Sequence, residues 1–185
     1  MDRVDGILTR AGLPPAEFGT IVHGFMEDRF RGVKPRIPPK FQARLDERDI
    51  PFIHEAAEAM VQGFFDSGIG KLSLLATYRE SEFPIITMVK TGAGAIPVTG
   101  QIDLLFEWED AMYIVDFKTD RTEETSRHLG QLGVYHRAIS DIFEKPVRSW
   151  LFYLRSSNAV ELTNQVRDLD IEAMAKAFAA LPTDL

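Results

Sequence analysis

The chemistry in this chain concentrates in one stretch, GQIDLLFEWEDAMYIVDFKTD, running from Gly100 to Asp120. Asp116 and Lys118 lie two residues apart after Tyr113-Ile114-Val115, a run apolar enough for a strand buried on both sides. Residues two apart on a strand share a face. An aspartate at the end of such a strand is costly unless something offsets its charge, and a lysine or a metal ion would do so. Glu109-Asp110 reads as a turn, and a hairpin through it brings Asp103 beside Asp116. Two carboxylates held together repel, and a divalent cation relieves the repulsion. The chain has no cysteine, which excludes thiolate zinc sites, a cysteine nucleophile, iron–sulfur ligation and disulfides. Hard oxygen ligands then point to Mg²⁺ or Mn²⁺. Taken singly, each aspartate is an ordinary solvated strand-end residue and Lys118 a surface charge. Asp103 followed by Asp116-x-Lys118 on the neighbouring strand favours a metal centre.

The elements that must position these groups follow from periodicity. Leu13 to Phe30 reads as a helix, with Pro14 and Pro15 in its first turn and Phe18, Ile21, Val22, Phe25 and Met26 on one face. Gly32 to Pro39 is a loop. A second helix starts near Pro51, carries Ile53, Ala57, Met60, Val61 and Phe64, and stops at Asp66-Ser67-Gly68. Strands are expected over Ala76 to Lys90, Val98 to Trp108 and Met112 to Thr119. Thr122 to Phe143 returns to helix, Val147 to Leu154 and Val160 to Thr163 to strand, and Ile171 to Leu181 to helix. The order predicts an α/β fold whose mixed central sheet, a three-stranded meander, a helix crossover and a further strand, is flanked by helices. With 185 residues, 45% hydrophobic and 26% charged, one soluble globular domain over residues 1–185 is expected. No apolar run is long enough to span a membrane and the N-terminus lacks an apolar signal stretch, so a cytoplasmic protein is expected.

Gly100-Gln-Ile-Asp103, then Ile114-Val-Asp116-Phe-Lys118-Thr, then Gln131-Leu-Gly-Val-Tyr135 resembles the RecB-like branch of the PD-(D/E)XK nucleases. The likeness is greatest to the C-terminal nuclease domain of AddA-type helicase–nucleases. The resemblance implies a restriction-endonuclease-like core. It assigns metal binding to Asp103, Asp116 and the backbone carbonyl of Phe117, and the attacking water to Lys118. It also implies a metal-ligating histidine in a Gly-x-x-x-His pattern, matched by Gly19 and His23. A Gln-x-x-x-Tyr pair of the family is matched by Gln131 and Tyr135, which share one helix face flanking the Leu129, Leu132 and Ile139 stripe; alone they read as an amphipathic edge, beside a metal site as groups that orient Lys118, bind phosphate or contact DNA. Glu82, before Phe83-Pro84, stands where this family has a glutamate; read alone it is a solvent-facing edge charge. His54, His128 and His136 form no metal-ligand spacing. No phosphate-binding loop of an ATP-driven motor is present, so the chain is expected to be either a separately expressed nuclease domain or a free-standing relative.

The net charge of −7 excludes a protein whose whole surface binds nucleic acid, but not a local basic track. Seven basic residues lie between Arg29 and Arg48, among them Arg31, Lys34 and Arg36, with only Asp46 and Glu47 interspersed. They read either as a phosphate track or as a solvated loop. Arg121, Arg127, His128, Arg137 and Arg155 are further candidates for the track. The expectation is a Mg²⁺- or Mn²⁺-dependent deoxyribonuclease, an exonuclease acting on single- or double-stranded DNA ends in repair or recombination. Its expected partner is a helicase subunit or a helicase domain absent from this chain. The alternative is a catalytically weak or inactive DNA-binding module of the same fold that works with a helicase partner.

Overall fold

The computed structural model describes residues 3–91 and 94–170, so the closing helix expected at Ile171 to Leu181 lies outside the described residues. The chain divides into two compact units. One takes the residues up to Lys71 with Phe117–Arg121 and Tyr153–Asn158; the other takes Leu72–Asp116, Thr122–Phe152 and the chain from Ala159 on.

The first unit is helical: α1 (Arg3–Ala11), α2 (Pro15–Phe30), the short α3 (Pro39–Gln42) and α4 (Ile50–Asp66), leading into α5 (Gly68–Leu75). Its core is the facing stripes of α2 and α4. Phe18, Ile21, Val22 and Phe25 lie against Ile53, Ala57, Val61 and Phe64, all of them fully buried or nearly so. Each such side chain contributes roughly 1.5–3 kcal/mol on burial, less for alanine. α1 is not among the expected elements, although Val4, Ile7 and Leu8 carry the i, i+3, i+4 spacing and Leu8 is buried. The stop expected at Asp66-Ser67-Gly68 is also a start: Ser67 Oγ accepts the N–H of Gly70 at 3.1 Å, the hydrogen bond of an N-cap, and α5 follows.

The second unit is built on a five-stranded sheet in the order β1 (Tyr78–Thr91), β2 (Gly94–Trp108), β3 (Ala111–Lys118), β4 (Val147–Tyr153), β5 (Asn158–Glu161). The first three strands form the expected antiparallel meander. Beyond them α6 (Leu129–Phe143) crosses over to β4, and α7 (Thr163–Arg167) follows β5. Met112 N–H donates to the Pro146 carbonyl and Leu154 N–H to the Lys118 carbonyl, bonds that advance together along both strands, so β3 and β4 are parallel. The sheet is therefore mixed, as the order of elements implied. The helix expected from Thr122 begins only at Leu129, after a 3₁₀ turn over Thr125–His128, so Thr122 caps nothing.

The β2–β3 turn fixes the register that matters for the site. Glu109 and Asp110 have φ of 47° and 61°, the left-handed pair of a tight two-residue hairpin. That conformation costs non-glycine residues about 1–2 kcal/mol each. The Lys145 ammonium clamps the turn from outside, bonded to Glu107 and lying 3.1 Å from Asp110 Oδ1.

On α6 the buried His136 lies with Nδ1 2.9 Å from Ser149 Oγ of β4. Burial, followed by the charge of Arg167, pushes its pKa below the ordinary 6.5. As pH falls below 6.5, the unfolded chain gains a proton that the native histidine resists, so this residue makes the fold less stable in acid. His136→Gln lowers the melting temperature at pH 7 through lost packing. The deficit against wild type narrows steadily towards about pH 5; thermal melts across that range check it, and a constant deficit would contradict the shift.

Candidate metal centre

Two ladders bring carboxylates into one row. β1 and β2 pair through Ser81↔Leu104 and Phe83↔Ile102, which sets Glu82 against Asp103. β2 and β3 pair from Trp108↔Ala111 to Leu104↔Val115, and one step further along both strands stand Asp103 and Asp116. Residues facing each other across strands project from one side of the sheet. A carboxylate oxygen of Glu82 and one of Asp103 lie within 4.8 Å of one another. Glu82 breaks the regular strand, with φ of 55°, and the Gln101 side-chain amide donates to its carbonyl at 3.2 Å. Such a local break re-aims a side chain. Asp116 is 3% exposed, on a strand that is buried along nearly its whole length. The register also identifies Glu82 as a full member of the cluster.

Gln131 and Tyr135 meet on α6, where Gln131 Nε2 donates to the Tyr135 hydroxyl at 3.0 Å. Tyr135 does not flank the apolar stripe, as its helical position suggested; it lies within the buried face, 3% exposed. Its ring is admitted by Gly100. A Cβ there would stand 2.7 Å from Tyr135 Cε1, closer than carbon atoms approach without displacement. Burial pushes the Tyr135 pKa up. The Gln131 bond draws it back, the Asp116 charge raises it, the Gln101 backbone N–H lowers it, and the Asp103 charge raises it. Tyr135 is thus a neutral O–H donor at physiological pH, beside the carboxylates and not one of the charged groups.

In the helical unit, α2 carries Gly19 and His23 one turn apart on one face. The half-buried His23 ring meets the Phe117 ring edge-on at 6.3 Å between centroids, and Phe117 stands between Asp116 and Lys118 on β3. Gly19 leaves space for Thr119: a Cβ at position 19 would lie 2.8 Å from Thr119 Oγ1. Lys118 is the last residue of β3, two on from Asp116, so both project from the same face of that strand.

The basic stretch is less free than its sequence implied. Arg31 pairs with Glu27 at 2.6 Å, Arg44 with Glu17, and Arg48 with Asp46 at 2.8 Å. Acids of α2 thus offset the stretch from outside it. Lys34 and Arg36 alternate with the buried Pro35 and Ile37, so both basic side chains are exposed on one side of an open cleft of about 610 Å³. Arg121 pairs with Asp5 at 3.1 Å and Arg127 with Glu124 at 3.3 Å. The exposed pairs of Arg31, Arg48 and Arg127 are weak, about 0–1 kcal/mol, and yield readily to a phosphate, whereas Arg121 is held by a carboxylate only 6% exposed. Arg155 is a different case: its side chain is 8% exposed and bonded inside the helical unit, which removes it from any surface track.

A family model described as the PD-(D/E)XK nuclease superfamily matches residues 1–184, which span both units. Curated relatives include two ATP-dependent helicase/nuclease subunits. That of Bacillus mycoides (strain KBAB4) is 28% identical over 181 residues, and that of Bacillus cereus (strain AH820) 29% identical over 182. Each match covers 83% of this chain, and the chain spans about 15% of the length of these relatives. A solved Eubacterium rectale protein named as a candidate exonuclease shares the fold with a TM-score of 0.57 at 10% identity, covering 88% of this chain and 64% of that one.

Two glycine substitutions should differ in sign. Gly100→Ala forces Cβ into the Tyr135 ring and costs about 1–3 kcal/mol. Gly24→Ala, in α2 with no heavy atom within 4 Å of its Cβ, stabilises by about 0.5–1 kcal/mol. Urea unfolding of the two variants measures both. Equal effects would mean that Tyr135 does not lie against Gly100.

Proposed function

The chain belongs to the PD-(D/E)XK nuclease superfamily, and on that premise we propose that it is a Mg²⁺- or Mn²⁺-dependent deoxyribonuclease that trims DNA ends. The observation that carries this reading is the carboxylate row, Glu82 against Asp103 with Asp116 next in register, on the strand that ends in Lys118. The donor set fits a hard divalent ion: carboxylate oxygens and no thiolate anywhere in the chain. Asp103 and Asp116 are the ligands proposed here, with Glu82, the Phe117 carbonyl and His23 completing the set. The contact between the His23 and Phe117 rings supports that role for His23. When bound, the ion lowers the pKa of a coordinated water and offsets charge on the reacting phosphate.

The protein's own groups do the rest. Lys118 holds the attacking water or its hydroxide by charge-assisted hydrogen bonding. Tyr135, kept neutral by burial, donates a hydrogen bond without adding negative charge to the row. Gln131 fixes the Tyr135 hydroxyl and keeps its oxygen occupied as an acceptor. Lys34, Arg36 and the half-exposed Arg121, with Arg31 and Arg127 once their surface pairs open, make up the phosphate track. We take residues 1–185 as one nuclease domain. The helicase/nuclease relatives support a role beside a DNA-unwinding partner, in repair or recombination. An inactive binding module would have no use for Asp103, Asp116 and Lys118 together.

End-labelled single- and double-stranded DNA is incubated with the purified protein and Mg²⁺ or Mn²⁺. Expected is shortening from the label, abolished by EDTA and by Asp116→Ala. The variant remains folded, since removing one of several crowded carboxylates relieves repulsion. Cleavage by Asp116→Ala at the wild-type rate would refute the assignment, and DNA binding without cleavage by wild type would favour the inactive module.

A further inference from the structure

Two consecutive backbone carbonyls at the end of β3 are taken up by two consecutive residues beyond β4. The Lys118 carbonyl accepts the N–H of Leu154 at 2.8 Å, an ordinary sheet bond. The Thr119 carbonyl accepts Nε of Arg155, also at 2.8 Å, so a guanidinium continues where the ladder ends. Nη1 of the same guanidinium lies 3.0 Å from Oδ1 of Asp5 in the first turn of α1. Both partners are buried, with side chains 8% and 6% exposed. The same Asp5 oxygen receives Nη2 of Arg121 at 3.1 Å. One carboxylate therefore gathers the chain three residues after Lys118 and the side chain that holds the residue next to it.

A buried ion pair is a poor source of stability, because desolvating both charges offsets most of the attraction. Its use is geometric. A guanidinium presents its donors in a rigid plane, so Arg155 fixes the carbonyl and the carboxylate relative to each other in a way that a flexible ammonium does not. Gly19 also lets Thr119 lie close to α2, on the face that carries His23. We propose that Asp5 and Arg155 are positioning residues for Lys118: they hold the backbone of Lys118–Arg121 between α1 and α2. This rests on the reading of Lys118 as the group that handles the attacking water.

Arg155→Met, Arg155→Lys and Asp5→Asn are compared with wild type. In Arg155→Met kcat on single-stranded DNA falls about 10- to 100-fold, with KM for DNA within about two-fold of wild type, since no phosphate contact is removed. Arg155→Lys, which reaches only one of the two partners, falls between. Asp5→Asn, nearly isosteric, is the variant of use if Arg155→Met does not fold. In each folded variant the amides of residues 117–121 exchange hydrogen about ten-fold faster or more, while those of α4 and α6 are unchanged. Wild-type kcat in folded Arg155→Met or Asp5→Asn overturns the proposal, as does unaltered exchange at 117–121. Lys118→Ala with wild-type activity refutes the role of Lys118 instead, a separate result, and the exchange measurement does not depend on activity.

Discussion

Like charges gathered on one sheet face are the constraint around which the site is organised. Glu82, Asp103 and Asp116 occupy successive strands at matching register positions, and Asp116 is almost wholly removed from water. Such a row is unfavourable by itself: repulsion and desolvation both oppose three ionised carboxylates. The ladders nevertheless fix them there, through a turn whose two residues accept left-handed backbone under the Lys145 clamp. A cation bound at the row would turn the unfavourable contacts into ligation, and the proposed metal centre rests on this pairing of three strands.

Much of this is legible in the amino-acid sequence because it depends on short-range rules. The Glu109-Asp110 turn and the apolar run before Asp116 suffice to set Asp103 beside Asp116. The stripes of α2 and α4 follow from 3.6-residue spacing, and Gln131 meets Tyr135 because they are one turn apart. What the sequence does not show depends on long-range partners. The break at Glu82 gives no sign in its own neighbours; its carbonyl is taken up by Gln101, on the strand opposite. Tyr135 lies deeper than its helical position suggested because Gly100, on another element, leaves the space.

The basic residues show charge being reassigned by the fold. Counted along the chain, Arg29 to Arg48 is a block with two acids in it. In three dimensions Glu17 and Glu27 of α2 reach across to Arg44 and Arg31. Lys34 and Arg36, with no acidic side chain paired to them among the described ion pairs, are set side by side by the alternation of buried and exposed residues. Arg155, equally basic on paper, is an internal strut. A charge count bounds what a surface does; only the pairing shows which charges are left to do it.

The central claim, that the carboxylate row is a divalent-cation site, is tested most directly by calorimetric titration of Mn²⁺ into wild type and into Asp103→Asn, with no DNA present. Saturable binding to wild type is expected, weakened about 10-fold or more in Asp103→Asn while the melting temperature without metal stays level or rises. No binding to wild type, or equal binding by both proteins, would contradict it.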